Sequence, residues 1–265
     1  MATFVLCAGA YTGGWVWRDV GVEPALRDAG HLVFTPTYTG VGERLHLTDP
    51  AIDLTTHVQD ILMVLKYEDL TDVILVGHSY GGMIIAAVAE QAAERISHLV
   101  SLDGYIPENG QSIADIAGAD ATRVFEDNAR SHGDGWLLSP DWDDPDARVT
   151  THPLAAVYTP VALGNPAAAS RPRTYIYCTE GKEGDAVLRF TIDHIEKAKA
   201  DPLWGYHEIQ TDHDLAETDH LVRILLEIGA TARSPRAGAA GSGHHDSEHV
   251  MVSAEGARTG VAAVP

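Results

Sequence analysis

Cysteine is nearly missing from this chain: Cys7 and Cys178 are its whole complement in 265 residues. Both fall inside predicted strands and read as small buried apolar residues, so a disulfide scaffold is excluded. Positive charge is also scarce. Lys and Arg number 18 against 38 Asp and Glu, a formal net charge of −20 with a pI near 4.9. That balance excludes nucleic acid or an anionic membrane as a main partner, because phosphate binding needs clustered Lys and Arg. No stretch approaches the roughly 20 apolar residues that span a bilayer. The opening MATFVLCAGA has no basic segment and too short an apolar run for a secretory signal, so a cytoplasmic location is expected. What remains is ordinary globular usage, 45% apolar and 21% charged. Such a length and composition suit one large mixed domain.

Short β-branched runs alternate with amphipathic stretches. Residues 3–8, 31–36, 73–76, 98–102, 174–178 and 204–209 read as strands. Residues 15–29, 54–65, 83–93 and 215–228 read as helices. The alternation predicts a mostly parallel, doubly wound sheet with helices on both faces. Two segments break the rhythm. About 70 residues rich in Pro, Asp and aromatics separate the fourth and fifth strands, far beyond an ordinary connection. They follow a strand's carboxyl end, where open sheets bind ligands, and are expected to form a cap. From residue 231 onward Ala, Gly, Ser and His dominate without periodicity, the pattern of a disordered tail. The expected organisation is a core of residues 1–103 and 172–230, a cap of 104–171 and a tail of 231–265.

The sharpest signal is Gly77-His78-Ser79-Tyr80-Gly81-Gly82, between a predicted strand and a predicted helix. This is a G-x-S-x-G nucleophile elbow in the context it requires. Small residues two before and two after Ser79 let strand and helix approach closely. The turn lifts the hydroxyl into the open and aims the Tyr80 N–H and the positive helix end at an oxygen that becomes anionic. A serine hydroxyl needs a base. His213, in Thr211-Asp212-His213-Asp214, lies on the loop between the last strand and the last helix, at the same sheet edge as Ser79. His220 falls inside the closing helix, and His57, His194 and His207 sit within elements, so these read as packing or surface residues.

Phe4-Val5-Leu6 leading to Gly13-Gly14-Trp15-Val16-Trp17, the GHSYGG elbow, Leu102-Asp103-Gly104-Tyr105-Ile106-Pro107 and His213-Asp214 together carry a resemblance. Over residues 3–230 the chain resembles the α/β-hydrolase superfamily, in the branch of plant methylesterases, hydroxynitrile lyases and bacterial esterase-like relatives. The resemblance implies the α/β-hydrolase fold, with the cap inserted after the fourth predicted strand. It also implies Ser79 as nucleophile, His213 as base, and an oxyanion pocket from the backbone N–H groups of Ala10 and Tyr80. Two departures stand out. Ala8-Gly9 replaces the usual His-Gly after the first strand, and Thr12 replaces a second common His. The usual acid follows the fifth strand seen here. In this chain it falls on Gly181 or Lys182 counted from the strand, and on Glu183 counted back from Phe190. Asp103, ending the preceding strand, is another candidate, so Asp103 and Glu183 both stand as partners for His213, alongside a weakened Ser/His dyad.

Tyr11, Thr12, Tyr80 and Tyr105 are expected to line the pocket, with Trp136 or Tyr158 closing it from the cap. Aromatic walls suit a neutral or aromatic small molecule. The expected activity is hydrolysis of a small ester, thioester or lactone through a Ser79 acyl-enzyme. The alternative is a cofactor-independent lyase, cyclase or C–C bond-forming or bond-breaking enzyme of secondary metabolism, using the same pair as acid and base. A binding protein on this fold has less reason to keep both Ser79 and His213. No G-x-G-x-x-G fingerprint opens an early strand–helix unit and no metal constellation stands out, so no cofactor and no metal are expected. A homodimer is left open.

Overall fold

Residues 4–7, Phe-Val-Leu-Cys, are apolar throughout, the pattern of a strand covered on both sides. In the computed structural model, which describes residues 1–140, 148–182 and 187–232, they lie in β1 (Thr3–Cys7). Along the chain follow β2 (Leu32–Phe34), β3 (Val73–His78), β4 (Ile96–Leu102), β5 (Leu137–Leu138), β6 (His152–Pro153), β7 (Arg173–Cys178) and β8 (Trp204–Ile209). Six of them form one parallel sheet in the order β2-β1-β3-β4-β7-β8, and β5 pairs with β6 antiparallel.

The helices are α1 (Val16–Asp19), α2 (Val22–Asp28), α3 (Leu54–Tyr67), α4 (Gly81–Ala92), α5 (Ile113–His132), α6 (Ala155–Tyr158), α7 (Pro166–Ala169), α8 (Phe190–Ala200) and α9 (Asp219–Thr231). Strand periodicity divides the core between the two faces of the sheet. Val5, Cys7, Val73 and Leu75 face α3 and α4, while Phe4, Leu6, Ile74 and Val76 face α2 and α9. Both cysteines are free and buried within this packing.

The strand order turns this layering into a site. From β1 the chain steps to β2 on one side, then returns to place β3 on the other. Open α/β sheets bind ligands at such a switch point, outside the carboxyl ends of the strands. Here those ends deliver the loop after Cys7 and the residue after His78.

Two expected helices are shorter than their periodicity suggests. Residues 15–29 divide into α1 and α2 because Gly21 takes a left-handed φ of 79° between them. The last helix begins at Asp219 rather than 215, since Leu215 has a φ of 64°. Its loop is held by Ala216 N–H donating to Asp212 Oδ1 and Glu217 N–H to Thr211 Oγ1.

Between β4 and β7 the described residues contain α5, the β5–β6 pair, α6 and α7. Helix α5 opens on a capping box between Ser112 and Asp115 and is kinked at Gly118. Ile113, Phe125, Leu138, Val157 and Val161 join the same apolar cluster as α3 and α4, so this segment shares the core rather than building its own. Glu90 Oε1 on α4 accepts the N–H groups of Gly164 and Asn165, tying its far end down. The acidic run around Asp141 and Asp146 and the tail beyond residue 232 lie outside the described residues. Among the described residues no helix is long and apolar enough to cross a membrane.

Candidate active site

The turn after β3 needs its glycines. A Cβ at Gly77 would stand 2.3 Å from the Gly81 carbonyl oxygen, and one at Gly81 would stand 2.6 Å from that of Cys7. With strand and helix in such contact, Ser79 takes a φ of 52°, a conformation costing an L-residue about 1–3 kcal/mol. Its backbone is held from both sides. Ser79 N–H donates to Leu102 O at 3.1 Å, and Ser79 O accepts from Gly82 at 3.0 Å and Tyr105 at 3.2 Å. The loop after β1 lies against this turn: a Cβ on Gly9 would be 3.4 Å from the Ser79 Cβ. Ala10 and Tyr11 therefore follow immediately beside Ser79, Tyr11 with a φ of 67°.

Asp103 is the next residue in the chain after β4. Its N–H donates to Ile176 O at 2.7 Å, which draws it toward the end of β7, and its side chain is fully buried. Oδ2 accepts from His213 Nδ1 at 2.6 Å, and Oδ1 accepts from the Cys178 N–H at 3.2 Å and from Lys182 Nζ. Burial alone would raise the carboxyl's pKa; the His213 hydrogen bond and charge, with the Lys182 charge, outweigh it and hold the group below the ordinary carboxylate range. A carboxylate only accepts, so His213 carries its proton on Nδ1 and presents a lone pair at Nε2.

His78 packs its ring 4.8 Å from that of His213 and donates from Nε2 to the His213 carbonyl oxygen at 2.8 Å. It thereby ties the His213 loop to the elbow. Burial, then the neighbouring His213, push His78 down to about 3, so it stays neutral. Among the described residues the Ser79 hydroxyl makes no hydrogen bond to His213; His78, the residue before Ser79, is the one that contacts it.

The side chain of Tyr80 is committed below the elbow. His57 Nε2–H donates to Thr39 O at 2.9 Å, so its Nδ1 accepts, and the Tyr80 hydroxyl donates to it at 2.7 Å. Tyr38 stacks on His57 at 5.0 Å and donates to Ala8 O. His152, which sequence reasoning missed, completes this cluster. Its ring lies 4.6 Å from Tyr80 and 5.9 Å from Tyr11, buried, and neither nitrogen has a hydrogen-bond partner among the described residues. Nearby, Thr150 N–H donates to Tyr11 O and Thr150 Oγ1 accepts from Gly42 N–H, joining the long excursion to the β1 loop. No motif marks His152 in a segment without periodicity.

Tyr11 and Thr12 are half-buried on the β1 loop, as a pocket wall requires. Tyr105 is buried and stacked on Phe190 at 3.7 Å. It borders a cavity of about 260 Å³ with Ile85, Ser101 and Trp204, and none of Ser79, Asp103 or His213 lines that cavity. Trp136 is half-buried beyond α5, its backbone bracketed by Gly133 and Leu154. Tyr158 corrects an expectation: it is 41% exposed and its hydroxyl donates to Glu126 Oε1 on α5, facing an outer groove instead of the site. His220 is exposed on α9, and Glu183 lies outside the described residues.

The buried imidazoles dictate an acid response. Burial drives His57 to about 4, His78 and His194 to about 3, and His152 well below its ordinary value. Unfolding frees each to titrate near 6.5, so below that pH the unfolded chain binds more protons than the fold. Their stability contribution is present above pH 6.5 and is lost as pH falls toward 3–4. Each group costs up to about 1.4 kcal/mol per pH unit in that window. Urea midpoints at pH 8, 7 and 5 are expected to fall little over the first step and steeply over the second; equal midpoints at pH 7 and 5 would contradict this.

This constellation has relatives. Residues 4–233 match the family model described as Alpha/beta hydrolase family. The chain belongs to the alpha/beta hydrolase family. A carbendazim hydrolyzing esterase of Nocardioides sp. is 54% identical over 113 residues, spanning 43% of this chain and 46% of that one. Salicylic acid-binding protein 2 of Nicotiana tabacum is 26% identical over 85% of this chain and 96% of its own length. Methylesterases and an alpha-hydroxynitrile lyase of Arabidopsis thaliana are further relatives. An extracellular alpha/beta-hydrolase from a Paenibacillus species shares the fold, with a TM-score of 0.68 at 22% identity over 86% of this chain and 99% of that one. Esterases and hydrolases dominate these relatives, and this alpha/beta hydrolase is an enzyme of that class.

Proposed function

We propose that this alpha/beta hydrolase cleaves a small neutral or aromatic ester, thioester or lactone through an acyl-enzyme on Ser79. The observation that carries the reading is the 2.6 Å bond from His213 Nδ1 to the buried Asp103, beside a serine held on a left-handed elbow. His213 Nε2 takes the Ser79 proton as Oγ attacks the carbonyl carbon. The developing oxyanion is held by the N–H groups of Ala10 and Tyr80 at the start of α4, where the helix dipole adds to them. Collapse expels the alcohol, thiol or ring oxygen, which leaves with the proton from His213. Water then enters, His213 deprotonates it, and the acyl group departs as the acid. Asp103 holds the imidazole in the required tautomer and stabilises the imidazolium. Residues 104–171 act as the cap, and their attachment at Thr150 sets the Tyr11 wall.

Quenching the enzyme after milliseconds with p-nitrophenyl acetate and mapping peptides by mass spectrometry tests this. The expected result is an acetyl group on Ser79 that turns over. Carbendazim, which the Nocardioides relative hydrolyses, is the first natural trial substrate. Ala8 in place of the usual His favours one other reading, in which Ser79 and His213 exchange protons with a substrate whose C–C bond is cleaved or formed. In that case no acyl adduct accumulates on Ser79.

A further inference from the structure

Lys182, just beyond the end of β7, is buried and makes contacts that a stray surface lysine does not. Its amino group donates to Asp103 Oδ1 and to Thr191 Oγ1 of α8 at 3.1 Å, and it lies 3.9 Å over the Tyr177 ring. Thr191 Oγ1 in turn donates to Leu188 O at 2.8 Å, so the lysine is anchored from the helix side as well. A buried ammonium costs several kcal/mol of lost hydration unless paired, and here its charge partner is Asp103.

From this geometry we infer that Lys182 is a positioning residue for the Asp103–His213 pair, a role that presupposes the serine-hydrolase reading of the site. Lys182 and the Cys178 N–H both bind Oδ1, which leaves Oδ2 for His213 and prevents the carboxylate from exchanging its oxygens. Its positive charge also offsets part of the carboxylate charge that would otherwise hold a proton on His213. The imidazole is thus oriented by an acid whose second oxygen is held by a cation. Among the described residues, His78 from the end of β3 and Asp103 after β4 touch His213, Lys182 and the Cys178 N–H act on it through Asp103, and Asp212 and Asp214 flank it in the chain. Lys182 is the cation among these described groups.

The test is the NMR titration of the His213 ring in the wild type, in Lys182→Met and in Lys182→Gln. It reads the imidazole directly and does not depend on turnover. His213 is expected to titrate about one pH unit higher in both variants, since an adjacent charge typically moves a pKa by one to three units. Where ester turnover is measurable, the acid limb of kcat/KM is expected to move by the same amount. An unchanged His213 titration in the folded variants would overturn the inference, whatever their activity. Loss of the fold in both variants would also overturn it, leaving Lys182 a structural residue. An acyl adduct missing from the wild type, with the titration shifted as expected, would instead count against the hydrolase reading alone.

Discussion

Replacing Ser79 by alanine is expected to lower kcat for an activated ester by about 10⁶, the loss seen when a serine protease loses its nucleophile. The elbow geometry does not depend on the hydroxyl. Its constraints are the approach of Gly77 to Gly81 and the backbone bonds of Ser79 to Leu102, Gly82 and Tyr105, which alanine keeps. Alanine at a φ of 52° pays the same steric penalty as serine, so the unfolding free energy is expected to change by less than about 0.5 kcal/mol. Stopped-flow turnover beside urea unfolding checks both halves. A variant that still hydrolyses ester at a tenth of the wild-type rate would remove the covalent step.

The substitution Asp103→Asn is expected to cost about 10⁴ in kcat with little change in KM. Two donors, Lys182 Nζ and the Cys178 N–H, converge on Oδ1 and require an acceptor there. The asparagine carbonyl must take that position, which turns its NH₂ toward His213 Nδ1. The imidazole then accepts at Nδ1 and carries its proton on Nε2, the wrong tautomer for removing the Ser79 proton. The change also leaves Lys182 as a buried cation without its counterion. Stability is therefore expected to fall by about 3–5 kcal/mol, the typical result of removing one partner of a buried pair. Chemical denaturation of the variant reports this separately from its kinetics.

Much of the fold was readable in the residues because few conformations satisfy them. Residues 73–76 are apolar on both faces and precede a turn where only glycine fits at positions 77 and 81, so strand, turn and helix followed from sterics. The six strands and their parallel arrangement followed from the same alternation of short apolar runs with amphipathic helices. Boundaries set by backbone turns were less visible. Apolar spacing continues through Gly21 and Leu215 as it would in a helix, and only their positive φ values break it.

Within the candidate site, Ser79 is proposed from its motif and His213 from its topological position. Two carboxylates remained open as partners of His213, and the structure brings Asp103 to it, whereas Glu183 lies outside the described residues. Local pattern does not decide such a pairing, because Asp103 meets His213 across 110 positions. Lys182 was visible only as a place where an acid was missing. Tyr158 was placed in the site by chemistry alone, but its helix turns it to solvent and Glu126. His152 needed the long excursion to be folded before its contacts with Tyr11 and Tyr80 existed.

A fluorophosphonate probe, read by peptide mapping and by its rate of attachment, addresses nucleophile, base and oxyanion donors in one reaction. The wild type is expected to label at Ser79, and Asp103→Asn at the same serine but orders of magnitude more slowly. Failure of the folded wild type to label, attachment at another residue, or equal rates in the two proteins would contradict a Ser79 activated by an Asp103-oriented His213.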